Sequence, residues 1–186
     1  MIDKIEISRR DLLRASAVAG TVLLSQPLFA AAAPASEVRP FPLNAVRLKP
    51  SIYLQAVEAN KKYLHSLSAD RFLHNFRKGA GLEPKAEVYG GWESRGIAGH
   101  SLGHYLTACA LMHAQTGDAE CARRAKYIVE ELAACQAAHG DGYVGGTTVE
   151  RDGKVIDGKI VYEEVKRGEI RSSGFDLNGG WVPLYT

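Results

Sequence analysis

His100 and His104 stand four residues apart in the string GHSLGHYL, just after a glycine-rich aromatic loop, YGGWESRG, that begins at Tyr89. That spacing puts two side chains on one helical face. Imidazole there can bind a metal or, when neutral, both donate to and accept from a sugar hydroxyl. A zinc peptidase needs a glutamate directly after the first histidine as general base. Ser101 holds that position, and the chain shows no clear third ligand, so a small zinc hydrolase built on His100 and His104 stands behind sugar contact. The plainer alternative is a pair of core histidines hydrogen-bonded to backbone or a carboxylate. His65, His74, His113 and His139 lack comparable company and read as surface or structural.

Tyr89, Trp92, Tyr143 and Trp181 lie in glycine-rich loops instead of helical stripes. Exposed aromatic faces in such loops can stack on sugar rings while glycine lets the backbone approach. The competing reading makes them anchors plugging the core. Glu93 is the best isolated carboxylate, yet glycoside hydrolysis usually requires a pair flanking the bond, and no partner can be placed opposite it. Glu163 and Glu164 read as a solvated face. The three cysteines, Cys109, Cys121 and Cys135, form no CxxC pair; each falls on the apolar side of an expected helix, as buried thiols do.

These residues need helices to hold them. Ser51 after Pro50 is an N-cap for a helix to Leu67, with Tyr53, Val57, Leu64 and Leu67 near helical spacing. A shorter helix runs from Ala69 to about Arg77, and a long glycine-rich loop follows from Gly79 to Gly96; a loop of that length is a binding-loop candidate. The stripe Leu102, Tyr105, Leu106, Cys109 and Met112 predicts a helix over Ile97 to Thr116. Asp118 caps another to about His139, with Cys121, Ala125, Ile128, Val129, Leu132 and Cys135 inward and Arg123, Arg124, Lys126, Glu130 and Glu131 wet. The very short connection makes the two antiparallel. Beyond Gly140, Asp152-Gly153 predicts a small hairpin, Asp157-Gly158 suggests irregular chain, and Tyr162 to Arg167 reads as a short helical turn.

The N-terminus reads as an address. Ser8, Arg9, Arg10, Asp11, Leu12, Leu13 and Arg14, then an apolar run Ala15 to Leu24 and small residues Ala30 to Ala33, form a twin-arginine signal over residues 1–35. The run is too short for a membrane span of roughly 20 residues. Residues 36–50 read as an extended linker and 51–186 as the folded region, with export to the periplasm or outside the cell. A formal charge of +2 in 186 residues, without a dense basic stripe, excludes a nucleic-acid footprint. The final segment from Asn178 to Thr186 ends in a loop without a closing helix, so the chain is expected to be part of a longer protein.

Read together, GGWES, GHSLGHYLTACALMHAQTGD, DGYVGG and DLNGGWVPLYT resemble the N-terminal catalytic region of the β-L-arabinofuranosidase family of glycoside hydrolases, over about Asn44 to Thr186. The resemblance implies an all-α, (α/α)6 toroid, incomplete here, whose inner helices include the one with His100 and His104. It implies removal of L-arabinofuranose with retention, by a cysteine nucleophile on a zinc ion held by cysteines and a glutamate, plus a glutamate acid/base. Those residues lie beyond position 186 in the family pattern, and Cys109, Cys121 and Cys135 do not match them. No catalytic residue is therefore assigned; zinc is expected in the full-length protein and none on this chain. The motif positions carried over as pocket candidates are Trp92, Glu93, His100, His104, Gly142, Tyr143 and Trp181, and the implied partner is an arabinose-containing oligosaccharide or polysaccharide. A non-catalytic carbohydrate-binding helical module is the alternative.

Overall fold

The computed structural model describes residues 39–172 and 175–181. The expected signal segment and the string after Trp181 lie outside them. Contacts divide the chain into Met1–Pro40 and Phe41–Thr186, and the described elements all belong to the second unit. It is mostly helical: α1 (Ile52–Ser66), α2 (Ala69–Phe72), α3 (His74–Gly79), α4 (His100–Thr116), α5 (Ala119–His139) and α6 (Lys159–Lys166). Short 3-10 turns occupy Leu43–Ala45 and Gly91–Glu93. Contrary to an all-α reading, two small antiparallel sheets accompany the helices: β1 (Thr148–Arg151) with β2 (Lys154–Asp157), and β3 (Asp176–Leu177) with β4 (Gly180–Trp181). None of the described helices is long and apolar enough to cross a membrane.

Caps decide where the long helices begin. The Leu54 N–H donates to Ser51 Oγ at 3.3 Å, and the Cys121 N–H to Asp118 Oδ1 at 2.8 Å, each satisfying a first-turn donor that has no intrahelical partner. α4 and α5 make the largest interhelical contact. Arg124, early in α5, reaches the Tyr105 hydroxyl of α4 at 2.7 Å, and only Gly117 and Asp118 lie between Thr116 and Ala119, so the two helices run antiparallel. Their facing stripes are Leu102, Tyr105, Cys109 and Met112 against Cys121, Ile128 and Cys135, joined by Leu64, Phe72, Leu73 and Phe76 into one apolar cluster. The first three of these stripe positions, spaced by three and four, are what a helix needs to keep one face dry.

Several sequence expectations shift for local reasons. The helix expected over Ala69 to Arg77 breaks at wholly buried Leu73, and the bend brings Phe72, Leu73 and Phe76 into the core together. α4 starts at His100 instead of Ile97 because Gly99 has φ 98°. A methyl group there would sit 2.8 Å from Phe76 Cζ, so both conformation and space require glycine. Val129 is 55% exposed, outside the stripe assigned to it. Arg124 and Glu131, read as wet, are largely covered. Arg124 donates to the carbonyls of Leu64, His65 and Leu67 where α1 ends, while Glu131 receives Arg77 and Lys85, each at 2.6 Å. The Asp152-Gly153 hairpin is present, pairing Arg151 with Lys154. Asp157-Gly158 begins a helix instead of irregular chain: Asp157 Oδ1 accepts from the Lys159 N–H at 3.0 Å, and α6 opens three residues ahead of Tyr162.

Candidate functional site

The hairpin, the β3–β4 turn and the loop before α4 meet around one cavity of ≈ 520 Å³. The Gly91–Glu93 turn contributes Gly91 and Trp92, and Arg95 and Gly96 follow; β1 gives Thr148, Val149 and Glu150, β2 gives Val155, and the last turn gives Gly179 and Trp181. The loop is stitched to the strand: the Gly96 N–H donates to Thr148 Oγ1 at 2.8 Å, and the Thr148 N–H and Thr147 hydroxyl return bonds to the Gly96 carbonyl at 3.0 and 2.9 Å. Gly96 has φ 71°, and a methyl group on it would meet Trp181 Cε3 at 3.0 Å. Glycine here lets the loop lie against the indole. Trp92 and Trp181 cross edge to face with centroids 5.8 Å apart. They are 65% and 44% exposed, so neither plugs the core.

Trp181 is held from behind. Glu164, buried on α6, receives Arg171 at 2.7 Å, Asn178 Nδ2 at 2.9 Å and Arg151 at 3.2 Å. Arg151 also donates to the Asn178 carbonyl. Arg171 first, then the Asn178 amide and Arg151, keep the Glu164 carboxyl below its usual range. The β3–β4 turn bearing Trp181 therefore hangs on a charged knot tied to α6 and β1. Sequence reading took Glu164 for a solvated face, since nothing local shows that Arg171 and Asn178 fold back onto it.

The remaining predicted residues lie elsewhere. Glu93 is only 6% exposed. Its two oxygens accept from the backbone N–H groups of Gly99 and Ser101, both at 3.0 Å, and its carbonyl accepts from Asn75 Nδ2 at 2.7 Å. That makes it the cap of α4, its charge set against the positive end of the helix dipole. His100 and His104 follow on the first turn, Nε2 atoms 3.0 Å apart and rings edge-on. At that contact one nitrogen donates and the other accepts. Among the described residues no third histidine, cysteine or carboxylate joins them as a metal donor set. Tyr143 leans on His139 and Tyr162 with centroids 4.9 and 5.6 Å apart. Burial holds its hydroxyl above the usual phenol range, and neither that hydroxyl nor His139 Nε2 has a hydrogen-bond partner among the described residues. Gly142, beside it, accepts from Gln136 Nε2 at 2.8 Å. The structure thus joins Trp92 to Trp181 at one cavity and sets Glu93, His100 and His104 together at the start of α4. Sequence reasoning missed Arg95, Thr148, Glu150 and Val155; the alternation around Asp152-Gly153 was the signal that could have found the last three.

Residues 45–186 match the family described as Beta-L-arabinofuranosidase, GH127 catalytic domain. The chain belongs to this family. It is a glycoside hydrolase domain of the arabinofuranosidase type, and carbohydrate is its class of substrate. A search of curated proteins finds no match. The zinc centre that the arabinofuranosidase resemblance implies, cysteines with a glutamate, does not fit the thiols described. Cys109, Cys121 and Cys135 are buried free thiols along α4 and α5, and they do not converge with a glutamate among the described residues. Burial raises all three above the ordinary thiol range, Cys121 to about 12.

Proposed function

We propose that this chain forms the substrate-side wall of an exported, retaining glycosidase acting on β-L-arabinofuranosides of plant or glycoprotein glycans, and that by itself it binds sugar without hydrolysing it. The observation carrying this reading is the exposed Trp92–Trp181 pair over a cavity with few polar groups, Arg95, Thr148 and Glu150. Sugar pockets of this kind use apolar faces for affinity and a few polar groups for orientation. His100 and His104, on the first turn of α4, supply further hydroxyl contacts, Glu93 holds that turn as its cap, and Gly142 and Tyr143 are pocket candidates by motif position. Among the described residues Glu150 is the carboxylate lining the cavity, whereas retaining hydrolysis needs an acid/base and a nucleophile on opposite sides of one bond. The α4–α5 hairpin is one unit of an (α/α)6 toroid in this reading; exposed Leu111 and Val129 are surfaces that neighbouring helices would cover. Export uses the twin-arginine segment, to the periplasm or beyond.

The chain has two tryptophans, and both line this cavity, so indole emission reports on the site alone. Titration with an arabinofuranosyl oligosaccharide is expected to change emission saturably, with Trp92→Ala weakening binding by about tenfold, or about 1.4 kcal/mol. A chromogenic β-L-arabinofuranoside should remain uncleaved. An unresponsive spectrum overturns the binding assignment, and turnover by the purified chain overturns the non-catalytic one.

A further inference from the structure

At the corner where α1 ends and α5 begins, His65, Asp118 and Cys121 bring one donor atom each within 4.8 Å of one another. Sequence hides the grouping, because 53 residues separate His65 from Asp118. We propose that these three side chains form a binding site for a zinc-class divalent cation, separate from the zinc centre implied by the family. The set supplies one imidazole nitrogen, one carboxylate oxygen and one sulfur, the borderline-soft mixture that zinc prefers. With carboxylate and thiolate bound, the dication is neutralised, which is the condition for keeping charge in a covered place. His65 Nε2 already lies 2.9 Å from Asp118 Oδ1. Metal–ligand lengths of about 2.0–2.3 Å put tetrahedral ligands roughly 3.3–3.8 Å apart, so binding eases that pair slightly open and brings all three donors into that range. A route from solvent exists: a second cavity of ≈ 310 Å³, walled by Glu58, Lys61 and Thr116, opens onto Asp118, and the His65 side chain is one-third exposed. Binding takes the Cys121 thiol proton into solvent as the metal–sulfur bond forms, leaves His65 neutral with its proton on Nδ1, and keeps a fourth position for water. The ion would pin the end of α1 to the start of α5.

Cobalt(II) titration of the purified chain tests this. One equivalent should produce the near-ultraviolet thiolate-to-cobalt charge-transfer absorption, abolished by added zinc. Cys121→Ala should remove the band, His65→Gln should weaken binding at least about tenfold, and Cys135→Ala should change nothing. Absence of the band in the parent chain overturns the site, as does a band that survives Cys121→Ala. Cobalt bound without thiolate absorption and released by His104→Ala overturns it too, by giving the ion to the histidine pair. Should Cys121→Ala lose its helical circular dichroism, the part-exposed His65→Gln decides: unchanged affinity in that variant overturns the proposal.

Discussion

Glu93 points both carboxylate oxygens at the backbone of Gly99 and Ser101, so the residue that reads in sequence as a spare acid is the cap on which α4 starts. Two charge-assisted bonds in a covered place outweigh an ordinary surface cap. Glu93→Ala is expected to lower stability by about 2 kcal/mol in urea denaturation. Glu93→Gln should recover part of that, keeping one acceptor oxygen. A loss in sugar affinity without a loss in stability would instead mark Glu93 as a ligand contact. The residue type was legible and its partner was not: the N–H groups it caps come six and eight positions later, aimed back by a glycine in left-handed conformation. The aromatic positions were easier to read. Trp92 and Trp181 sit among glycines with no helical stripe to absorb them, and both emerge exposed at one cavity.

Among the elements, Arg124 binds three helices together. Its guanidinium closes the carbonyl end of α1, meets the Tyr105 hydroxyl of α4, and is held by Glu120 one turn earlier on α5 at 2.6 Å. Removing it takes the side-chain donor from the part-buried carbonyls of His65 and Leu67 and leaves Glu120 without this partner, so Arg124→Met is expected to cost about 2 kcal/mol by chemical denaturation. Arg124→Lys should restore less than half, since an ammonium lacks the planar fork that reaches several carbonyls at once. Helix existence was legible because capping residues and apolar spacing coincide at Ser51, Leu102 to Met112, and Asp118 to Cys135. Arg124 was misread because helical periodicity ranks a position by its neighbours in sequence, while the carbonyls it serves lie some sixty residues away. The small sheets were half legible: Asp152-Gly153 announced its turn, but the two-residue strands carrying Trp181 are too short to leave a pattern.

For the molecule as a whole, the cavity depends on parts far apart in sequence, and the Glu164 knot is where they are joined. The sign of its pH dependence follows from the depressed carboxyl. A group bound more weakly by protons in the folded state stabilises fully above its unfolded value of 4.5 and loses that contribution as pH falls through the lower folded value. Acidification below about 4.5 should therefore loosen the Trp181 turn, seen as a shift in indole emission. Glu164→Gln should show the loosened spectrum already at neutral pH and a flatter response below it. An identical acid profile in both proteins would show that the knot does not hold the turn. Fold class at this scale came from helix pairing, while the cavity emerged only when loop, hairpin and final turn were brought together.

The three thiols carry a consequence of their own. Cys109, Cys121 and Cys135 sit in the middle of α4 and at the two ends of α5, each at most 1% exposed, and only thiolates react with disulfide reagents. Labelling at each must wait for the helix around it to open. The chain thus holds three built-in clocks. Equal modification rates would mean that α4 and α5 open as one cooperative unit, and a faster Cys135 would mean that α5 frays from its far end while the corner at Cys121 stays shut.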